Sequence, residues 1–301
     1  MSAPAYETLK IELADAVATV EMNRPEKANA MNLRMWLELR EAFKWIDEED
    51  AVRVAVLRGN GPCFTAGIDL EMLGSVRQEI ADACDGRMRE KLRRLILDLQ
   101  DSLTAIERCR KPVLAAIHGH CLGGGVDLVC ACDMRYCSND ASFSIKEIDV
   151  GMTADVGTLQ RLPKLVGEGM VRELAYTGRA VAGPEAKEIG LVNHVVADGE
   201  LEEALAISVF CALTAPDFAE GVIRAVNHDG DSDSTGAIAG NLLGALHGVE
   251  NVPRKWLSGL ELGTEIAAIA DDLATWPDWP IGEFIEETEA SNYWRTRYPP
   301  C

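Results

Sequence analysis

Leu9, Ile11 and Leu13 alternate with Lys10, Glu12 and Ala14, and Val17 to Met22 repeats the alternation, so the chain is expected to open with a β-hairpin. Asn23-Arg24-Pro25 ends it. Leu33, Trp36, Leu37, Phe43 and Ile46 then recur at helical spacing, the stripe of an amphipathic helix lying on a sheet, with Trp36 read as core. Val52 to Leu57 predicts another strand, and Gly59-Asn60-Gly61-Pro62 breaks it into the loop CFTAGIDL, ahead of a further helix. Met88, Leu92, Leu95, Leu99, Leu103 and Ile106 describe a long amphipathic helix. It leads to Val113–Ile117, a short apolar run of the kind covered on both faces of a sheet. Strands alternating with helices predict an α/β fold with parallel strands and helical crossovers, its ligands near the carboxyl ends of the strands.

Two loops fall at such ends. Gly123-Gly124-Gly125 follows the strand at Val113 and opens a helix that carries Asp127. Glycine lets the backbone approach a ligand closely, and the unpaired amides of a helix start point at whatever binds there. An oxyanion suits that position, a phosphate suits it too, and a tight strand-to-helix turn shows the same pattern. Ala66-Gly67-Ile68 follows the strand beginning at Val52, so two sets of N–H groups can converge on one carbonyl oxygen, which is an oxyanion hole in outline.

Charge narrows the partners. The chain has 301 residues, 48% of them hydrophobic and 26% charged, which is the composition of a globular protein. Its net charge of −20 argues against nucleic acid and against anionic membranes, and means that a polyanionic ligand needs a local basic pocket. No apolar run reaches the length of a membrane span and MSAPAYETLK lacks the apolar core of a signal peptide, so a cytoplasmic location is expected. The nine cysteines form no CxxC pair and no Cys/His zinc spacing, so reduced thiols and no metal site are expected, with Cys130 and Cys132 packing as small hydrophobes in a helix. His118 and His120, flanking Gly119, are read as positioning or packing residues because neither has an evident triad companion.

NRPEKANAMN at 23–32, FTAGIDL at 64–70 and the run from Ala115 to Pro163 containing HGHCLGGGVDL and KEIDVGMTADVGTLQRLP resemble, in order, the motifs of the enoyl-CoA hydratase/isomerase, or crotonase, superfamily. The resemblance covers about residues 5 to 196 and is strongest to the dienoyl-CoA isomerases, implying a crotonase-like ββα-repeat core. It also implies conversion of a 3,5-dienoyl-CoA to its 2,4-isomer, a step of fatty-acid β-oxidation. The family's three pocket acids fall on Asp127, Glu147 and Asp155, with Glu147 near C2 of the substrate and Asp155 at the distal carbon. Its oxyanion donors fall on the amides of Ile68 and Gly124, and its CoA-thioester contact on Ala66, Gly67, Ile68, Asp69 and Leu70, opposite Gly124. Lys27 and Arg24 are placed toward the CoA phosphates. The resemblance further implies an acyl-CoA substrate, no cofactor apart from the CoA that the substrate carries, and a homo-oligomer, trimer or hexamer. Hydration of a 2-enoyl-CoA is the neighbouring reaction, less favoured because the hydratases have a glutamate where Asp127 stands.

Residues 202–272 are instead similar to the C-terminal part of ADP-ribosylglycohydrolases, through EALAISVFCAL at 203–213 and AVNHDGDSDSTGAIAGNLLGALHG at 225–248. That likeness would put magnesium ligands on Asp231, Asp233 and Ser234, but no matching Thr/Asp/Asp cluster precedes them. The expected organisation is a catalytic domain over 1–200 and a mostly helical segment over 201–301, in which the small-residue helix Gly236–Gly248 docks on the first part or self-associates. ADP-ribosyl hydrolysis and a catalytically inactive interaction protein are the readings of another class. Trp276, Trp279 and Trp294 belong to no motif.

Overall fold

The computed structural model describes residues 4–227 and 232–258. Strands β1 (Leu9–Ala14) and β2 (Val17–Met22) form the expected antiparallel hairpin. Helix α1 (Leu33–Glu48) follows, started by the Asn32 side chain, which accepts the N–H of Met35 at 2.9 Å, and buries Trp36, Leu39, Phe43 and Ile46. Strand β3 (Val54–Gly59) begins a little later than Val52, whose own amide closes a turn onto the Glu49 carbonyl. Helices α2 (Leu70–Glu79) and α3 (Asp85–Glu107) lead to β4 (Val113–Ile117), buried along its whole length.

After β4 come β5 (His120–Leu122), α4 (Gly124–Cys130), β6 (Met134–Ser138) and β7 (Ser142–Ser144). Then follow α5 (Thr158–Arg161), α6 (Glu168–Thr177), β8 (Val181–Ala182), α7 (Gly183–Glu188) and β9 (His194–Val196). The main sheet has the order β1-β2-β3-β4-β6-β9, parallel throughout except for the opening hairpin. A second sheet, β5-β7-β8, stands beside it and carries the glycine loop on its first strand. Cys130 ends α4 while Cys132 lies in the turn beyond, and both thiols are buried.

The two faces of the main sheet carry separate cores. One joins Val20, Leu57 and Ala115 to Trp36, Phe43, Leu103 and the second sheet. The other joins Val56, Leu114 and Tyr136 to helices α8 (Leu201–Thr214) and α10 (Ser232–His247), with α9 (Phe218–Val226) alongside. The approach of α9 to α10 is close: a Cβ on Gly221 would stand 2.4 Å from Leu243 Cδ1, and one on Gly236 2.4 Å from Val226 Cγ1. The small-residue helix therefore docks on the sheet and its companion helices. A short α11 (Arg254–Leu257) ends the described chain, in which no helix is long and apolar enough to cross a membrane. Asp231, Trp276, Trp279 and Trp294 lie outside the described residues. Asp233 is exposed and Ser234 buried on the first turn of α10.

Candidate active site

The loops after β3 and β4 are bound to each other by backbone contacts. Thr65 pairs with Cys121 as a parallel bridge, the Leu122 N–H donates to the Thr65 carbonyl at 3.1 Å, and Thr65 Oγ1 donates to the Asn29 carbonyl at 2.7 Å. Gly67 lies in the left-handed region at φ +87°, and a Cβ there would stand 2.5 Å from the Leu122 carbonyl oxygen and 3.3 Å from the Gly124 amide nitrogen. Only glycine admits this approach. Neither the Ile68 N–H nor the Gly124 N–H meets an acceptor among the described residues. Both residues line one cavity of about 230 Å³.

Side chains along residues 66–70 alternate between that cavity and the interior. Ala66, Ile68 and Leu70 line the cavity, whereas Gly67 and Asp69 face the protein and are buried. Of the five residues expected to contact the CoA thioester, three thus reach the cavity and two hold the loop. Asp69 caps α2 by accepting the Glu71 N–H at 2.9 Å, and takes the Arg24 guanidinium at 2.9 Å. Arg24 also donates to the Ala30 carbonyl, and Lys27 pairs with Glu71 at 3.1 Å. The placement of Arg24 toward CoA phosphates is corrected accordingly: its guanidinium is a half-buried brace under the loop.

The rest of the wall is apolar, from Met72, Leu73 and Val76 on α2 and Leu92, Leu95, Ile96 and Leu99 on α3, and it is closed by Trp36. Three charged residues interrupt it, Lys146, Glu147 and Asp155, all between β7 and α5; the Lys146 ammonium pairs with Asp149 at 2.8 Å, and Glu147 opens a 3-10 turn over Glu147–Val150. Glu147 reaches back under the glycine loop, with Oε1 3.2 Å from the position of a Cβ on Gly123, while its Oε2 is buried without a hydrogen-bond partner among the described residues. Asp127 is fully buried on the first turn of α4 and does not line the cavity. Its Oδ1 accepts the Thr158 N–H, and its Oδ2 is buried without a hydrogen-bond partner among the described residues.

Burial and mutual repulsion hold these carboxyls above their ordinary range. Glu147 is pushed up to about 7, first by burial and then by the charge of Asp127. Asp127 is pushed up to about 6 by burial, partly offset by its bond from Thr158. Asp155 is also raised by burial. The cavity therefore offers one carboxyl, Glu147, able to exchange a proton near neutrality, and a second, Asp155, raised in the same direction, in a space also lined by two residues whose amides meet no acceptor among the described residues. His118 turns its ring to the Gly61 carbonyl at 2.8 Å and does not line this cavity, consistent with the packing role expected for it. Trp36, read from its helical spacing as core, is a cavity residue that sequence pattern did not single out.

A sequence model of the family described as enoyl-CoA hydratase/isomerase matches residues 12–241, past the expected boundary at 200. A peroxisomal Delta(3,5)-Delta(2,4)-dienoyl-CoA isomerase of Arabidopsis thaliana is 48% identical over 199 residues, covering 65% of this chain and 72% of its own. The mitochondrial isomerase of that name from Homo sapiens is 47% identical over 217 residues, covering 70% of this chain and 66% of its own. A crotonyl-CoA hydratase of Syntrophomonas wolfei is 36% identical over 198 residues, covering 65% of this chain and 72% of its own. Among solved structures, one described as an enoyl-CoA hydratase/carnithine racemase from Magnetospirillum magneticum superposes with a TM-score of 0.63 at 30% identity, covering 73% of this chain and 80% of that one. A Thermobifida fusca protein of hydratase description, solved with acetoacetyl-CoA, superposes with a TM-score of 0.63 at 29% identity, covering 81% of this chain and 98% of that one. These relatives correct the cytoplasmic expectation, since the isomerases are named peroxisomal or mitochondrial.

Proposed function

Because the chain belongs to the enoyl-CoA hydratase/isomerase family, we propose that it is an isomerase that converts a 3,5-dienoyl-CoA to the 2,4-dienoyl-CoA. The observation that carries this reading is that Glu147 and Asp155 line one largely apolar cavity together with Ile68 and Gly124, whose amides meet no acceptor among the described residues. In it, the thioester oxygen sits between the Ile68 and Gly124 N–H groups. Glu147 takes the proton from C2, and the electron pair spreads through the diene as a trienolate whose negative oxygen the two amides stabilise. Losing one such donor typically costs on the order of 3 kcal/mol in the barrier. Asp155 then delivers a proton to C6, so one C–H bond breaks, one forms, and both double bonds move one carbon toward the thioester.

Asp127 acts from behind. Its buried charge raises Glu147 toward neutrality, which suits a group that must both take and release a proton. Its exclusion from the cavity also argues against hydration of a 2-enoyl-CoA as the main reaction, because there a water must be held by two acids that both reach it. The likeness to a crotonyl-CoA hydratase keeps hydration as the second reading.

In this reading the substrate carries its own CoA and no further cofactor is required. Residues 1–200 supply the chemistry and helices α8 and α10 back the sheet, within a homo-oligomer whose size light scattering would report. The activity is tested by following the absorbance of the conjugated product: the parent should convert 3,5-dienoyl-CoA and Asp155→Asn should lose at least 100-fold. No conversion by the parent, or equal rates for the two, would sink the proposal.

A further inference from the structure

We propose that Trp36 is a positioning residue that fixes the spacing of the Ile68 and Gly124 amides. This rests on the oxyanion reading of those amides given above. Trp36 is 1% exposed, yet it lines the cavity, and its two ends meet the two halves of the hole. Its indole Nε1 donates to the Met31 carbonyl at 3.2 Å. Met31 in turn forms a parallel bridge with Ile68: its N–H donates to the Gly67 carbonyl at 2.7 Å, and its carbonyl accepts the Asp69 N–H at 3.0 Å. The Ile68 N–H belongs to the first of the two consecutive peptide groups that Met31 holds, the one whose Gly67 carbonyl accepts from Met31, and the Met31 carbonyl also accepts from the indole.

At the other end, the six-membered ring packs under the glycine loop. A Cβ on Gly124 would stand 3.4 Å from Trp36 Cζ2, 3.5 Å from Cη2 and 2.8 Å from Met31 Cε. One rigid side chain therefore abuts the backbone of the second donor while hydrogen-bonding the segment that carries the first. The base of that side chain is fixed as well, since Trp36 sits in the first turn of α1, where its N–H bonds the Asn32 carbonyl at 3.1 Å and Asn32 caps the helix. An oxyanion hole is effective only when its donors are held in place before charge develops, and an indole spanning both segments supplies that rigidity.

Trp36→Phe keeps an aromatic ring and removes the donor. It is expected to lower kcat roughly 10- to 100-fold with KM within about twofold of the parent. The infrared carbonyl band of a bound enoyl-CoA thioester, displaced from its solution frequency in the parent, is expected to move back toward that frequency in the variant. A thioether analogue with no carbonyl should bind both proteins alike. Should the phenylalanine variant fail to fold, 3-benzothienylalanine placed at position 36 alone retains the fused-ring shape without the N–H and reads the same quantities. A variant whose carbonyl band and kcat match the parent would overturn the role of Trp36, as would equal losses in thioester and thioether binding. A parent that leaves the carbonyl band at its solution frequency would overturn the oxyanion reading and this inference together.

Discussion

The guanidinium of Arg24 meets the Asp69 carboxylate at 2.9 Å beneath the loop that presents Ile68 to the cavity. Asp69 is only 6% exposed and its carboxyl is held below the usual range, with the Arg24 hydrogen bond the largest of the effects that outweigh its burial. The pair therefore braces the loop.

Removing one partner of such a pair leaves an uncompensated buried charge. Arg24→Met is expected to lose on the order of 3 kcal/mol of stability, read by urea denaturation, and adding Asp69→Asn should restore part of it. If Arg24→Met instead raises KM for the CoA substrate with the denaturation midpoint unchanged, the guanidinium is a phosphate ligand and the brace is not its role.

Gly67→Ala combines a positive φ with a Cβ placed 2.5 Å from the Leu122 carbonyl oxygen. Because the obstructing atom is backbone, the loop must separate from the glycine turn. A stability loss of about 2 kcal/mol or more is expected, with kcat/KM falling at least 100-fold as the two amides part. Thermal melts and steady-state rates on 3,5-dienoyl-CoA check both, and a variant with parental rates would show that the contact does not set the donor geometry.

Asp127 raises Glu147, so the pH–rate profile should record it. With Glu147 acting as a base, kcat/KM falls as pH drops through about 7 and the carboxylate is protonated. Asp127→Asn removes the repelling charge, so the proton on Glu147 is held less tightly and the acid limb moves to lower pH. An acid limb that stays in place would show that the two carboxyls do not communicate. The same residues carry a stability signature. An acid raised in the folded state favours folding most below its unfolded value and loses that contribution as pH rises through the folded one. Asp127, raised from 3.8 to about 6, should therefore make the parent more heat-stable at pH 5 than at pH 7.5. Asp127→Asn should flatten the difference.

Much of the sheet was legible because its residues obey a simple period. Leu9, Ile11 and Leu13 alternate, β4 is apolar throughout, and Leu99, Leu103 and Ile106 mark the buried face of α3. The glycine run at 123–125 was legible as the break between an apolar strand and a helix start, whereas the acids at 127, 147 and 155 took their roles from motif register, which carries order along the chain but not direction in space. It therefore could not tell that Asp127 faces the interior while Glu147 and Asp155 face the cavity. Trp36 was missed for a related reason: an aromatic on the apolar stripe of a helix looks the same whether it meets only core or also meets a site. The short strands β5, β7 and β8 were likewise hidden, being too brief for any period to register. Helix α8 is apolar on nearly every side, so spacing could not show that it covers Val56 and Leu114 on the outer face of the sheet.

The alternation along residues 66–70 divides the segment by parity. Even positions line the cavity and odd positions meet the protein, so cavity shape and folding are written on interleaved letters of one short word. A library confined to 66, 68 and 70 would alter the cavity wall while leaving the Gly67 contact and the Asp69 brace in place. One that varied 67 and 69 would mostly sample chains that cannot close the loop. Selectivity in this enzyme can accordingly drift without first trading away the fold.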